Sequence, residues 1–285
     1  MRVANEIHLK YIDDLTLAEA INLPNNLVSV PDNIRPQPDT FHARTGHVLP
    51  LNNSNVYKQL LKTVEYSEAN EMRINYKKTK VMVFNPCTSI DFMPEISLNN
   101  NELEVVEETR LLGVILRSDM KWISNTENMV NKANKRLWIL RRLKHLGAQH
   151  IDLVDIYTKQ IRSVLELAVP AWHGGITLAE QIDIERIQKS ASHIILGDGY
   201  VSYREAVKTL GLETLQCRRE KLCLKFGRKA EKNQKFKKWF KPTPSSTMTR
   251  KEKDKYCSVL ARHSRFEKSP LSFLTNRLNG FYKKK

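Results

Sequence analysis

Three observations predict an α+β fold for this chain of 285 residues. Residues 7–12 alternate apolar and polar, the two-residue period of a half-buried strand. Residues 123–211 keep apolar positions three and four apart, the period of packed helices. Lys and Arg number 47 against 31 Asp and Glu, and residues 201–285 hold 24 of these cations against 7 acids. The net charge of +16 therefore resides in a basic tail, and anionic partners are favoured. The expected organisation is a mixed strand-and-helix part over 1–122, a helical bundle over 123–211, and a basic helix with a flexible, partly disordered tail over 212–285.

Several classes drop out on composition. The four cysteines (Cys87, Cys217, Cys223, Cys257) are widely spaced and lack zinc-site spacing, which suits a reduced compartment. The longest apolar run, 111–116, is far short of a membrane span, and the N-terminus lacks a signal-peptide core. An intracellular protein without membrane contact is expected. No internal repeat is visible.

The first strand runs into Asp13-Asp14 and a second apolar stretch from Leu15, as in a hairpin. Pro24, Pro31, Pro36, Pro38 and Pro50 predict a long loop. Ser54 is placed to cap a helix ending near Met72, with Tyr57, Leu60, Leu61, Val64 and Glu68 on one face. Val81-Met82-Val83-Phe84 reads as a buried strand and 109–116 as another, before a turn at Ser118-Asp119. Val130, Ala133, Leu137, Leu140 and Leu143 then form the buried stripe of a basic-backed helix. Asp152 is expected to cap a helix that Pro170 stops, with a turn at Trp172-His173-Gly174-Gly175. Thr177-x-x-Glu180 is a capping box for a helix ended by Gly197, and Ser202-x-x-Glu205 opens a shorter one closed by Gly211. A basic helix runs from Arg218 to about Lys238, and 240–285 is too charged to predict order.

Two adjacent carboxylates at the strand turn Tyr11-Ile12-Asp13-Asp14 suit a hard divalent cation such as Mg²⁺. The plain alternative is a solvated hairpin turn. The order of motifs favours the first. Tyr-x-Asp-Asp is followed by Asn75-Tyr-Lys-Lys78-Thr79, then by Leu111-Leu-Gly113-Val and Lys121-Trp122. This series resembles the reverse transcriptases of non-LTR retrotransposons. There the acidic hairpin sits in the palm, Asn-x-x-Lys-Thr leads into a strand, and a Leu-Gly-Val strand forms the primer grip. Leu140-Arg141-Arg142-Leu143, Tyr157, Pro170-Ala171-Trp172 and Ile187-Gln188-Lys189 look like the family's helical thumb, so the resemblance covers most of residues 5–225.

The resemblance implies an RNA-directed DNA polymerase fragment with a truncated palm, a thumb and a basic tail. Asp13 and Asp14 would bind the catalytic Mg²⁺, Tyr11 would pack near the primer end, and Lys78 would sit by the incoming triphosphate. Gly113 would let the primer-grip strand approach the primer backbone; a simple strand bulge is its alternative. The partners implied are RNA or DNA as a template–primer duplex and an upstream polymerase half; the location implied is nuclear. Only ten residues precede Tyr11, whereas the family places its fingers and first catalytic Asp upstream, so no polymerisation by this chain alone is expected.

Lys132, Lys135, Arg136, Arg141 and Arg142 lie on the basic helix with Trp138 beside them and no acid between Asn128 and Ile151. Such a surface can follow a phosphate backbone, although a charge run is more often a solvated face. The same holds for Arg228, Lys229, Lys232, Lys235, Lys237 and Lys238 around Phe236 and Trp239. A non-catalytic nucleic-acid-binding module is therefore the second reading, and a decayed product with unpaired strand edges the third. Residues 121–172 also resemble a segment labelled the N-terminal region of the AlkB homologue 8 family. His150, Asp152 and His173 or His193 carry the letters of an iron triad, but Asp152 is better used as a cap, and a demethylase reading is set aside.

Overall fold

The computed structural model describes the backbone of residues 7–10, 15–18, 47–50 and 92–95, and backbone with side chains for 54–84, 97–99, 101–243, 254–258 and 267–283. The chain forms two units, Met1–Thr109 and Arg110–Lys285. The architecture is α+β, with short strands first and helices after.

In the first unit, β1 (Ile7–Lys10) pairs antiparallel with β2 (Leu15–Ala18), with Lys10 opposite Leu15. Of the expected strand over 7–12, residues 7–10 are seen, and 11 and 12 lie outside the described residues. The proline-rich loop is corrected at its end: β3 (His47–Pro50) pairs in parallel with β5 (Phe92–Glu95). Among the described residues this sheet has two strands, so both β3 and β5 are edge strands, the place in a sheet where proline is tolerated.

The helix α1 (Asn55–Ala69) begins as predicted, with the Tyr57 amide donating to Ser54 Oγ at 3.0 Å. Its inner face is Tyr57, Leu60, Val64 and Ser67, packed with Leu98 and Leu103. Leu61 and Glu68 fall to the side of that stripe and are exposed, because the 3–4–3 spacing from Tyr57 selects position 67 rather than 68. The expected buried strand 81–84 is also corrected. Only β4 (Lys80–Val81) is a strand, paired in parallel with β8 (Glu104–Val105), and Phe84 is exposed. Between β5 and β8 lies the small antiparallel pair β6 (Ser97–Leu98) and β7 (Asn101–Glu102).

The unit boundary falls inside the next strand, β9 (Glu108–Leu111), which pairs with β10 (Val114–Arg117). Here the sequence predicts one strand and the structure has a hairpin. Its two-residue loop places Leu112 at φ 50° and Gly113 at φ 86°, the left-handed pair that a tight hairpin turn requires. A local turn preference thus overrides a continuous apolar run. The turn at Ser118-Asp119 follows as expected, and Asp119 is held at a pKa of about 2. Burial pushes that carboxyl up, but the hydrogen bonds from Arg117 and the Lys121 amide, with both cations nearby, outweigh it.

The helical core of the second unit starts at α2 (Ile123–His145), whose Met129, Ala133, Leu137 and Leu140 are buried. The helix expected after Asp152 begins earlier, as α3 (His150–Ile156), with Gln149 at the cap position and Asp152 in the first turn. A π-helical stretch, Tyr157–Arg162, and α4 (Ser163–Leu165) continue it. The chain turns at Ala168, which adopts φ 50°, so Pro170 opens the short α5 (Val169–Trp172) rather than stopping its predecessor. The capping box of α6 (Leu178–Leu196) forms in full, and α7 (Tyr203–Thr209) is capped by Ser202.

The largest correction is the tail. The basic helix is α8 (Leu215–Lys232), capped by Thr214, and a short α9 (Gln234–Lys237) follows. Beyond them, where the sequence predicts disorder, α10 (Pro270–Lys283) inserts Leu274 and Leu278 into the same core. Gly174 allows the approach, since a Cβ there would lie 2.8 Å from that of Phe273. Asn279 holds the Tyr256 backbone at both ends, accepting from its N–H at 3.0 Å and donating to its carbonyl at 2.9 Å. Charge density hid four apolar anchors, Tyr256, Leu274, Leu278 and Tyr282, whose burial outweighs it.

Candidate nucleic-acid interface

α2 is amphipathic by position. Its buried stripe leaves the opposite face to Asn131, Lys135, Trp138, Arg142 and His145, at alternating four- and three-residue steps. Lys132 and Arg141 flank this line on either side and are exposed. Among the described residues no carboxylate pairs with Lys132, Lys135, Arg141 or Arg142. Trp138 stands between them with 62% of its surface exposed. A helix that covers its inner face with leucine and its outer face with unpaired cations around an indole presents a continuous positive stripe.

Two cations of α2 are engaged within the fold. Arg136 Nη1 donates to the Gln160 carbonyl at 2.5 Å, an oxygen in the π-helical stretch. Lys144 Nζ donates to the carbonyls of Ile194 and Ile195 at 2.7 and 3.1 Å, satisfying the last turn of α6. Of the five α2 cations picked from sequence, Arg136 is therefore tethered, and the other four have no carboxylate partner among the described residues.

α8 uses its cations differently. Arg218 pairs with Glu166, Lys221 with Glu213, and the Arg228 guanidinium lies 4.9 Å from the centre of the Phe281 ring. Lys221, Lys225, Arg228, Lys229 and Lys232, with Leu224, line a shallow hollow of about 310 Å³. Further on, the Phe236 and Trp239 rings lie 4.7 Å apart, tilted by 49°, among Lys235, Lys237 and Lys238, which are exposed.

A polar network in the core was invisible to the sequence reading. The Tyr157 hydroxyl donates to Gln188 Oε1 at 2.7 Å, and Gln188 Nε2 donates to the Glu213 carbonyl at 2.8 Å and to the Tyr203 hydroxyl at 2.9 Å. The Tyr203 hydroxyl donates in turn to Glu185, which accepts the Leu215 and Gln216 amides at the start of α8. Burial, then Tyr203 and the carboxylates of Glu185 and Glu166, pushes Tyr157 well above its ordinary value against the opposing charge of Arg162, and keeps it a donor. Arg219 is 1% exposed, and its three guanidinium nitrogens have no hydrogen-bond partner among the described residues. Spacing offered a signal, since Arg219 falls four residues from both Leu215 and Cys223 on the buried line of α8, but a charge at that place reads as exposed until the packing is known.

The polymerase-like residues are distributed as follows. Tyr11, Asp13 and Asp14 lie outside the described residues; the strands on either side of them pair as a hairpin requires. Lys78 is exposed, and its amide donates to the Asn75 carbonyl at 3.0 Å, so Asn75-x-x-Lys78-Thr79 is a turn leading into β4. Gly113 is the second residue of the β9–β10 hairpin loop, which by itself accounts for a glycine there. Among the described residues no group of three or more His, Cys, Asp or Glu is placed to hold a metal ion. His150 is exposed at the start of α3, while His173 is buried against Phe273. No described helix is long and apolar enough to cross a membrane. In comparisons with known proteins, no family model, curated protein or solved structure matches the chain.

Proposed function

We propose that this chain is a nucleic-acid-binding fragment derived from a non-LTR retrotransposon reverse transcriptase, gripping RNA or DNA through α2. The observation that carries the binding is the row of four exposed cations, Lys132, Lys135, Arg141 and Arg142, without a carboxylate partner among the described residues, on a helix whose other face is buried. The fold holds these charges apart from every described carboxylate, and a polyanion is the partner that compensates them. The polymerase ancestry is supported by the order of the motifs from Tyr11 to Lys189. Asp13 and Asp14 would supply two carboxylates to a Mg²⁺ pair, and two-metal nucleotidyl transfer would need a further carboxylate from elsewhere. Catalysis by these residues alone is not part of the proposal, and the location proposed is nuclear, by the same resemblance.

The test is filter binding of a template–primer duplex at about 50 and 200 mM salt. Four phosphate contacts predict a roughly 10²-fold loss of affinity across that range. The double variant K135E/R142E should lower affinity at least tenfold and reduce the salt slope by about 2, across all sequences. Unchanged affinity would sink the grip on α2. Primer extension with Mg²⁺ run beside it checks catalysis. Extension abolished by D13A would show that the missing carboxylate is supplied.

A further inference from the structure

Trp138 is the least expected residue on the surface of α2. An indole costs free energy when left in water, and three of the four tryptophans here are more sheltered: Trp172 is fully buried, Trp122 nearly so, and Trp239 leans on Phe236. Trp138 has no such cover. It stands 62% exposed, and among the described residues no ring or cation packs on it. Its neighbours on the helix surface are Lys135 three residues before it and Arg141 and Arg142 three and four after it, all exposed.

We propose that Trp138 is a stacking platform for an unpaired base, so that α2 binds single-stranded RNA or DNA in preference to duplex. The inference rests on the nucleic-acid reading above and names the substrate class of that same face. The physical ground is the alternation of an open aromatic surface with cations along one helical line. Lys135 and Arg142 are seven residues apart, a span of about 10.5 Å along the axis, with the indole between them. A strand whose backbone runs over the two cations places its bases against the ring. In a duplex the bases are stacked on one another and offer no free face, and the indole meets only sugar and phosphate. Phosphate contacts at Lys135 and Arg142 serve either form. Only Trp138 distinguishes them.

The experiment uses the full chain with two fluorescent probes of equal length, an unstructured oligo(U) strand and a perfectly paired RNA duplex, followed by anisotropy. W138A should weaken oligo(U) binding roughly 5- to 150-fold, the range for loss of one base stack, and leave duplex affinity within about twofold. W138F, which keeps an aromatic face, should retain most single-strand affinity. Quenching of tryptophan fluorescence on adding oligo(U) should be lost largely in W138A. The exposure of Trp138 keeps both variants clear of the core, and an unchanged melting temperature confirms it. Equal losses for strand and duplex, or none for either, overturn the stacking role. If W138A is silent while K135E/R142E weakens both probes, the stack falls and the grip stands. If K135E/R142E is silent too, both fall.

Discussion

α2 carries six Lys and Arg in 23 residues and α8 seven in 18, yet the fold treats them differently. On α2 the buried stripe is entirely uncharged, and Lys132, Lys135, Arg141 and Arg142 face outward without carboxylate partners among the described residues. On α8 the buried line Leu215, Arg219, Cys223, Gly227 and Ala230 contains a cation, and Arg218, Lys221 and Arg228 are occupied by Glu166, Glu213 and Phe281. The difference comes from the partners that other elements bring. Both helices keep an exposed face, but Glu166, Glu213 and the Phe281 ring lie beside cations of α8, and among the described residues no carboxylate pairs with the four of α2. Charge count alone therefore identifies neither a binding helix nor a structural one. The angular distance from the buried stripe does.

The largest expected effect uncovers α8. Leu278 of α10 packs against Gly227, and L278A should cost about 2–5 kcal/mol, as a buried leucine does elsewhere. A melting temperature unchanged in that variant would show that the tail helix does not belong to the core. R219M probes the buried cation next. A guanidinium held without hydrogen bonds is costly, so an apolar side chain of similar length should stabilise the unit by about 1–4 kcal/mol, read as a higher midpoint in urea. A lower midpoint would mean that Arg219 is compensated.

A third effect depends on pH. His173 is held at a pKa of about 4 by burial first, then by the charges of Arg219 and Arg277. Above its ordinary value of 6.5 the ring is neutral folded or unfolded. Between 6.5 and 4 the unfolded chain binds a proton that the folded chain refuses, so stability falls with falling pH by about 1.4 kcal/mol per unit. H173N should flatten that part of the profile, and an unaltered slope assigns the acid sensitivity to another group. The smallest effect sharpens the comparison from the other side. K135E/R142E on α2 should change stability by less than about 0.5 kcal/mol, because both side chains are exposed and neither has a carboxylate partner among the described residues.

Much of the second unit was legible. The period of Ala133, Leu137 and Leu140 gave α2 its inner face, and the Thr177–Glu180 box and Gly197 gave α6 its ends, because helical spacing and capping act within a few residues. Strands were harder to read. In 109–116 an apolar run hid the Leu112-Gly113 turn, and in 81–84 it suggested a burial that two-residue pairing does not supply. Of the candidate site, the row of cations was visible as letters. That Arg136 and Lys144 are spent on carbonyls of other helices was not, since those oxygens lie 24 and 50 residues away.

The sequence by itself determined the class, the succession of a mixed part and a helical part, the capped helices and the basic surplus, all of which depend on neighbours close along the chain. Only the tertiary structure decided that residues 270–283 fold back into the core, that Arg219 is buried, and which cations of α2 stay free. Those outcomes are set by contacts between residues far apart in sequence. Burial against α5 and α8 outweighs the local charge of the tail, and no spacing rule within one helix records it.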